Sequence, residues 1–126
     1  MLPVVAWEVE FTDEFEVWWK DLSQEQQVAV DAAVRLLEVR GPALEHPHSS
    51  DIRSSRHGRM RELRVPCQGR PLRILYAFDP RRVAILLIGG DKTGDDRWYE
   101  RMVPLADQIY DEYLEALKRE GSIDGS

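Results

Sequence analysis

The sequence predicts an α+β domain: a small, antiparallel-rich twisted sheet of about four strands, an N-terminal helical hairpin and a C-terminal helix. Three observations carry this. Apolar residues recur at helical spacing in two early segments and one late one, and four short segments alternate or run apolar in the manner of strands. Their order, β–α–α–β–β–β–α, lacks the strict alternation that builds a parallel sheet. The 126 residues suit one domain, residues 1–120, followed by a frayed tail "GSIDGS" at 121–126.

In "AWEVEF" (6–11), Trp7, Val9 and Phe11 alternate with polar neighbours, which predicts a half-buried first strand. Asp13 followed by Glu16 has capping-box form and opens a first helix, with Phe15, Trp18, Trp19 and Leu22 facing the core. Ser23 with Gln26 opens a second, whose apolar face is Ala29, Val30, Ala33, Leu36 and Leu37, and Gly41–Pro42 ends it. Residues 42–58, rich in Pro, Ser and His, have no period and read as a loop. Strands follow at 60–65, 72–78 and 83–90, joined by short connections carrying Pro or Gly, so consecutive antiparallel pairing is expected. The continuous apolar run 83–88 predicts a strand covered on both sides. Pro104 suits the first turn of the final helix, with Ile109, Tyr110, Tyr113, Leu114 and Leu117 on one face.

Composition narrows the function class. No stretch approaches the roughly 20 apolar residues that cross a bilayer, and the opening "MLPVVAW" is too short for a signal peptide. A lone Cys67 excludes an internal disulfide and fits a cytoplasmic setting, with no membrane partner. The net charge of −6 conceals an asymmetry: residues 46–82 hold 9 basic and 3 acidic groups, whereas residues 1–45 hold 3 and 10. An acidic whole opposes nonspecific coating of a polyanion, but a basic middle permits a local anion site.

That middle contains "HGRMRELRVPCQGRPLRILYAF". A turn centred between Gln68 and Gly69 pairs Arg64 with Arg73, Leu63 with Ile74, Val65 with Leu72 and Glu62 with Leu75. Alternation then places Leu63, Val65, Leu72, Ile74, Tyr76 and Phe78 on a covered face and Glu62, Arg64, Arg73, Leu75 and Ala77 on the other, expected to be partly open. Two arginines directly opposite one another destabilise the pair, and Glu62 neutralises only one. Two resolutions are open: carboxylates from the acidic flanks, Asp91 among them, or an external anion such as phosphate, which guanidinium forks match well.

"ELR", "RILYAF" and "GGDKT", in this order and spacing, resemble the RelE/HigB-type toxins of bacterial type II toxin–antitoxin systems, in the RelE/ParE superfamily, across most of the chain. The resemblance implies a RelE-like α+β fold and a ribosome-dependent mRNA endoribonuclease, an mRNA interferase that arrests growth without a cofactor or metal. It implies a cognate antitoxin, a helix-turn-helix protein encoded adjacently through which the pair contacts DNA indirectly, and the ribosome and mRNA as further partners. Arg64 matches the arginine of the basic strand, Arg73 the one that contacts the scissile phosphate, Lys92 the cation after the last strand and Tyr99 the C-terminal tyrosine. Met60 and Glu62 stand where well-known relatives carry lysines. Cleavage by 2′-hydroxyl attack needs a base, for which Glu62 and His57 are the candidates, and cations for the crowded phosphorane. Tyr99 is a candidate to stack on a base or donate a proton.

Arg56, Arg59 and Arg61, with Arg53, are candidate nucleic-acid contacts at the mouth of the site, and Trp98 is a candidate stacking platform. His46, His48, Asp51 and His57 match no zinc spacing. Two alternative functions share this fold: a ParE-like toxin acting on DNA gyrase, and a catalytically weak module that mainly binds its antitoxin.

Overall fold

A computed structural model describes residues 6–125, so the opening residues 1–5 read above lie outside it. The elements are β1 (Val9–Phe11), α1 (Asp13–Lys20), α2 (Gln24–Arg40), a 3-10 turn (Gly41–Ala43), β2 (Ser49–Asp51), β3 (Arg61–Cys67), β4 (Arg70–Phe78), β5 (Ala84–Asp91) and α3 (Trp98–Arg119). They build one sheet in the order β1-β5-β4-β3-β2.

The β3–β4 hairpin has the register expected from its turn: Glu62 opposes Leu75, Leu63 opposes Ile74, Arg64 opposes Arg73 and Val65 opposes Leu72. Gln68 and Gly69 both take positive φ, 53° and 76°, the two-residue turn whose twist matches its strands. The Arg64 N–H donates outward to the His48 carbonyl at 2.9 Å. The Arg64–Arg73 pair is therefore of the non-hydrogen-bonded kind within the hairpin, in which side chains approach most closely.

Five strands replace the four expected. The additional β2 pairs antiparallel with β3 inside the segment read as a loop. Its polar side chains show no hydrophobic period because each is satisfied individually; Ser49 Oγ, for instance, lies 2.6 Å from the Tyr76 hydroxyl. β1 is shorter than predicted and runs parallel to β5, because the Trp7 N–H leaves the sheet to donate to the Glu38 carbonyl of α2 at 2.7 Å.

The N-cap of α1 is Thr12 rather than Asp13: its hydroxyl accepts from the Phe15 N–H at 3.1 Å and donates to the Leu87 carbonyl at 2.7 Å. Ser23 and Gln26 form the predicted reciprocal capping box of α2. α3 begins at Trp98, not near Pro104, which sits inside the helix. The missing Pro104 N–H costs one helical hydrogen bond, and the apolar face of α3 offsets that loss by packing.

The helices do not lie on one face. α1 and α2 cover Leu63, Val65, Leu72, Ile74 and Tyr76, while α3 covers Leu75, Ala77, Ile85 and Leu87 on the opposite face. The continuous run 83–88 is thereby buried from both sides, as its composition predicted. β5 carries one extra residue where its register shifts against Leu75 and Tyr76, which reverses the alternation beyond it. Gly89 then faces Trp18 and Gly90 faces Trp98, so closely that a Cβ would stand 2.3 Å and 2.7 Å from the two rings. The more open part of the α3 face lies one same-face pair from Leu75 toward the hairpin turn, where Arg73 stands between Arg64 of β3 and Gly90 of β5.

Candidate active site

Five side chains converge on that open stretch. Arg64 and Arg73 come from neighbouring strands, Glu62 lies one strand period from Arg64, Lys92 follows β5, and Tyr99 is the second residue of α3. Arg64 Nε donates to Glu62 Oε1 at 3.2 Å, and Arg73 Nε lies 3.7 Å from the same oxygen. Ser50 of β2 donates to Glu62 Oε1 at 3.1 Å and accepts from Arg64 Nη2 at 3.3 Å. Arg73 Nη1 donates to the Leu72 carbonyl at 3.0 Å.

One carboxylate oxygen therefore serves both arginines. The other, Glu62 Oε2, has no hydrogen-bond partner although the side chain is only 3% exposed, and neither has Arg73 Nε. Among the described residues these are the two buried side-chain N or O atoms left unsatisfied. Buried polar atoms are almost always paired, so two orphans in one cluster set it apart as the place where polar bonding is incomplete among the described residues.

Asp91 is not the counter-ion of this cluster: it accepts from Arg70 Nη1 at 2.9 Å and from the Thr93 N–H at 2.9 Å, and against the upward push of burial Thr93, and then Arg70, hold its carboxyl below its ordinary pKa. Asp95 is engaged by Arg101 and by the Arg97 N–H. Lys92 Nζ stands 5.0 Å from the centre of the Tyr99 ring and, among the described residues, makes no ion pair within 4 Å. Three cations and one carboxylate give the cluster a formal charge of +2. Burial, and then the neighbouring Glu62 carboxylate, push the Tyr99 hydroxyl above its ordinary pKa, against a smaller opposing pull from Arg73. Tyr99 thus stays protonated at neutral pH by a wider margin than a free tyrosine.

Arg64 separates two hollows. One, of about 470 Å³, is lined by Ser50, Arg53, Glu62, Arg64 and Tyr99 among others. The second, of about 410 Å³, lies between Arg64, Arg73, Arg70 and three prolines, Pro47, Pro66 and Pro71.

Residues 17–111 match the model of the family described as phage derived protein Gp49-like (DUF891). The chain belongs to the Gp49-like family. Two Mycobacterium tuberculosis relatives support a HigB-type membership. The candidate toxin HigB3 is 43% identical over 100 residues, 79% of this chain and 86% of that protein. The candidate toxin HigB2 is 41% identical over 112 residues, 87% of this chain but 55% of that protein, so the chain spans about half of HigB2. A mutant of the Escherichia coli toxin RelE, solved in the free state, shares the fold with a TM-score of 0.55 at 12% identity, covering 89% of this chain and 98% of that one.

Not every predicted site residue of this Gp49-like chain joins the cluster. His57 lies apart, its Nε2 2.8 Å from Asp111 of α3 and its ring 4.8 Å, edge-on, from Tyr110. Arg56 also binds Asp111, through both terminal nitrogens; these two partners hold the Asp111 carboxyl below its ordinary pKa, Arg56 contributing most. Arg61 pairs with Asp51 and donates to the Leu44 carbonyl at 2.9 Å. Arg59 is exposed beside another cavity. Trp98 is corrected outright: it is 3% exposed, packed over Gly90 in the α3 core, and has no face free for a base. Ser50 went unnoticed in the sequence because its role depends on β2, which had no periodic signature.

Proposed function

We propose that the protein is the toxin of a type II toxin–antitoxin pair and cleaves messenger RNA in the ribosomal A site. The observation that carries this reading is the paired arginines sharing one carboxylate oxygen, with an unpartnered guanidinium N–H and an unpartnered carboxylate oxygen beside them. A phosphodiester supplies what both orphans lack: nonbridging oxygens for Arg73, Arg64 and Lys92, and a 2′-hydroxyl proton for Glu62.

In this mechanism Glu62 Oε2 accepts the 2′-hydroxyl proton while the 2′-oxygen forms a bond to phosphorus. The bond from phosphorus to the 5′-oxygen breaks, and Tyr99 donates its proton to that leaving oxygen. The products are a 2′,3′-cyclic phosphate and a 5′-hydroxyl end, and proton return from Glu62 through solvent restores Tyr99. The three cations stabilise the dianionic phosphorane, the largest expected share of the acceleration. The partner that restrains the toxin is a cognate antitoxin, an adjacently encoded helix-turn-helix protein that brings the pair to DNA, and the working compartment is the cytoplasm.

Induced expression of wild type and of Arg73→Ala in bacteria, with transcript ends mapped, tests the proposal. Growth arrest with new 5′ ends inside translated codons, absent in the variant, is the expected result. Arrest with broken DNA and intact transcripts would instead indicate action on gyrase, and no arrest at all would leave an antitoxin-binding module.

A further inference from the structure

We infer that the cavity at the end of the β3–β4 hairpin opposite its turn is a second phosphate site, holding RNA backbone away from the bond that is cut; the choice of RNA as ligand rests on the function proposed above. This cavity of about 470 Å³ is lined by Arg53, Arg59, Arg61 and Arg82, with His57, Asp51 and Asp79 among its other walls. Its two carboxylates are already engaged. Asp51 binds Arg61, and Asp79 binds Arg81 and accepts from the Arg81 and Val83 N–H groups at 2.8 Å and 3.2 Å. Arg53, Arg59 and Arg82 have no carboxylate within 4 Å among the described residues. In a chain of net charge −6, three unneutralised guanidiniums around one hollow form a local site for an anion.

The site is held in place by the fold. Between Arg53 and Arg59 the loop is pinned to α3, where Asp107 accepts from Ser55 Oγ and from the Arg56 N–H, and Asp111 accepts from Arg56 and His57. Arg82 takes a φ of 68°, its N–H donates to the Asp79 carbonyl at 2.8 Å, and its guanidinium stands 5.4 Å from the Trp7 ring centre. The pinned loop backbone and the Arg82 side chain seated on Trp7 reduce the ordering that binding must supply.

The cavity is separate from the Arg64–Arg73 cluster but reachable by one strand of RNA. Phe78 of its wall and Arg73 are five residues apart on β4, about 17 Å at 3.3–3.4 Å per residue. Arg53 lines both this cavity and the hollow containing Glu62, Arg64 and Tyr99. A polyanion leaving the cleavage site across Arg53 would therefore arrive at Arg59 and Arg82.

The test measures binding of uncleavable 2′-O-methyl oligoribonucleotides, two and eight nucleotides long, by fluorescence anisotropy over a salt series. The wild type should bind the octamer more tightly than the dimer. The Arg59→Gln/Arg82→Gln variant, which leaves Arg53 and the cleavage hollow intact, should lose that gain, with a salt slope shallower by about 0.7 for each phosphate contact removed, and bind the dimer as before. The corresponding Arg59→Lys/Arg82→Lys variant should retain the gain, which separates lost charge from lost folding. A Gln variant with undiminished length dependence, equal weakening on both oligonucleotides, or a wild type indifferent to length would each overturn the inference. In a translation extract, messages truncated beside the cleaved codon identify the source. If truncation slows wild-type cleavage as the Gln variant does, the phosphates are the message's; if only the variant is slow, they are ribosomal. A wild type that shows the length dependence yet cuts no message would sink the cleavage proposal and leave this site standing.

Discussion

Arg64 and Arg73 face one another across the β3–β4 hairpin and lean on a single oxygen of Glu62, at 3.2 Å and 3.7 Å. The carboxylate thus neutralises half of the charge it holds together. Glu62→Gln keeps the shape but leaves two guanidiniums opposed with no internal counter-ion. We expect a loss of about 2 kcal/mol, below the roughly 3–5 kcal/mol typical of a fully buried pair because Arg64 is one-third exposed. Added phosphate should restore the melting temperature of the variant and raise that of the wild type less. Equal responses to phosphate would mean that the arginines are not its binding site.

Tyr99 has two neighbours that act on different parts of it: Lys92 on its ring and Glu62 on its hydroxyl. Tyr99→Phe removes only the hydroxyl. Cleavage should fall by about 10²–10⁴, the range for loss of a positioned proton donor, while oligonucleotide affinity stays within twofold. The raised pKa also fixes the direction of the pH effect. A tyrosine acid works while protonated, so any alkaline loss of activity due to Tyr99 must fall above 10, its ordinary value. A pH–rate profile with Tyr99→Phe as control checks this, and an unchanged rate in Phe would assign the proton to another donor.

The hairpin was fully legible because a two-residue turn and an alternating pattern determine register together, and the opposed arginines followed from it. β2 was not legible: Ser49, Ser50 and Asp51 are held by Tyr76, Glu62 and Arg61, contacts that leave no hydrophobic signal. The same gap concealed Ser50. Trp98 was misread for a different reason, since a tryptophan beside a glycine-rich turn looks exposed unless α3 is known to begin there. Arg64, Arg73, Lys92 and Tyr99, which the resemblance singles out, lie together with Glu62, whereas His57 is held by Asp111 elsewhere.

Gly89 and Gly90 join the two layers to the site. Each accommodates a tryptophan on its own face of β5, and Trp98 directly precedes Tyr99. Gly89→Ala forces its methyl against Trp18 and should cost about 1–3 kcal/mol of stability, the usual range for overpacking. Gly90→Ala should cost a similar amount and also displace Trp98, reducing cleavage beyond what lost stability explains. Urea titrations of both variants, with activity measured well below the unfolding transition, separate the two effects. Equal activity in both would disconnect the Trp98 seat from Tyr99.

Glu10 of β1 ties the sheet edge to α3: it accepts from Tyr113 at 2.6 Å and from Arg81 at 2.9 Å. Arg81 first, and then Tyr113, hold its carboxyl below the ordinary value of 4.5. A depressed carboxyl stabilises the fold above its unfolded pKa, and that contribution is lost as pH falls through the folded one. Tyr113→Phe removes one donor to the charged form and should cost about 1 kcal/mol at pH 7, at the low end for charge-assisted bonds because the carboxylate is one-third exposed. The difference from wild type should shrink as pH drops below 4.5 and Glu10 becomes neutral. At the other extreme, burial and then the Glu10 carboxylate push the Tyr113 hydroxyl up to about 12, so wild type should lose stability relative to Tyr113→Phe as pH rises from 10 toward 12. Denaturant midpoints of the two proteins across this range give the comparison, and a pH-independent difference would show that the bond to Glu10 contributes nothing.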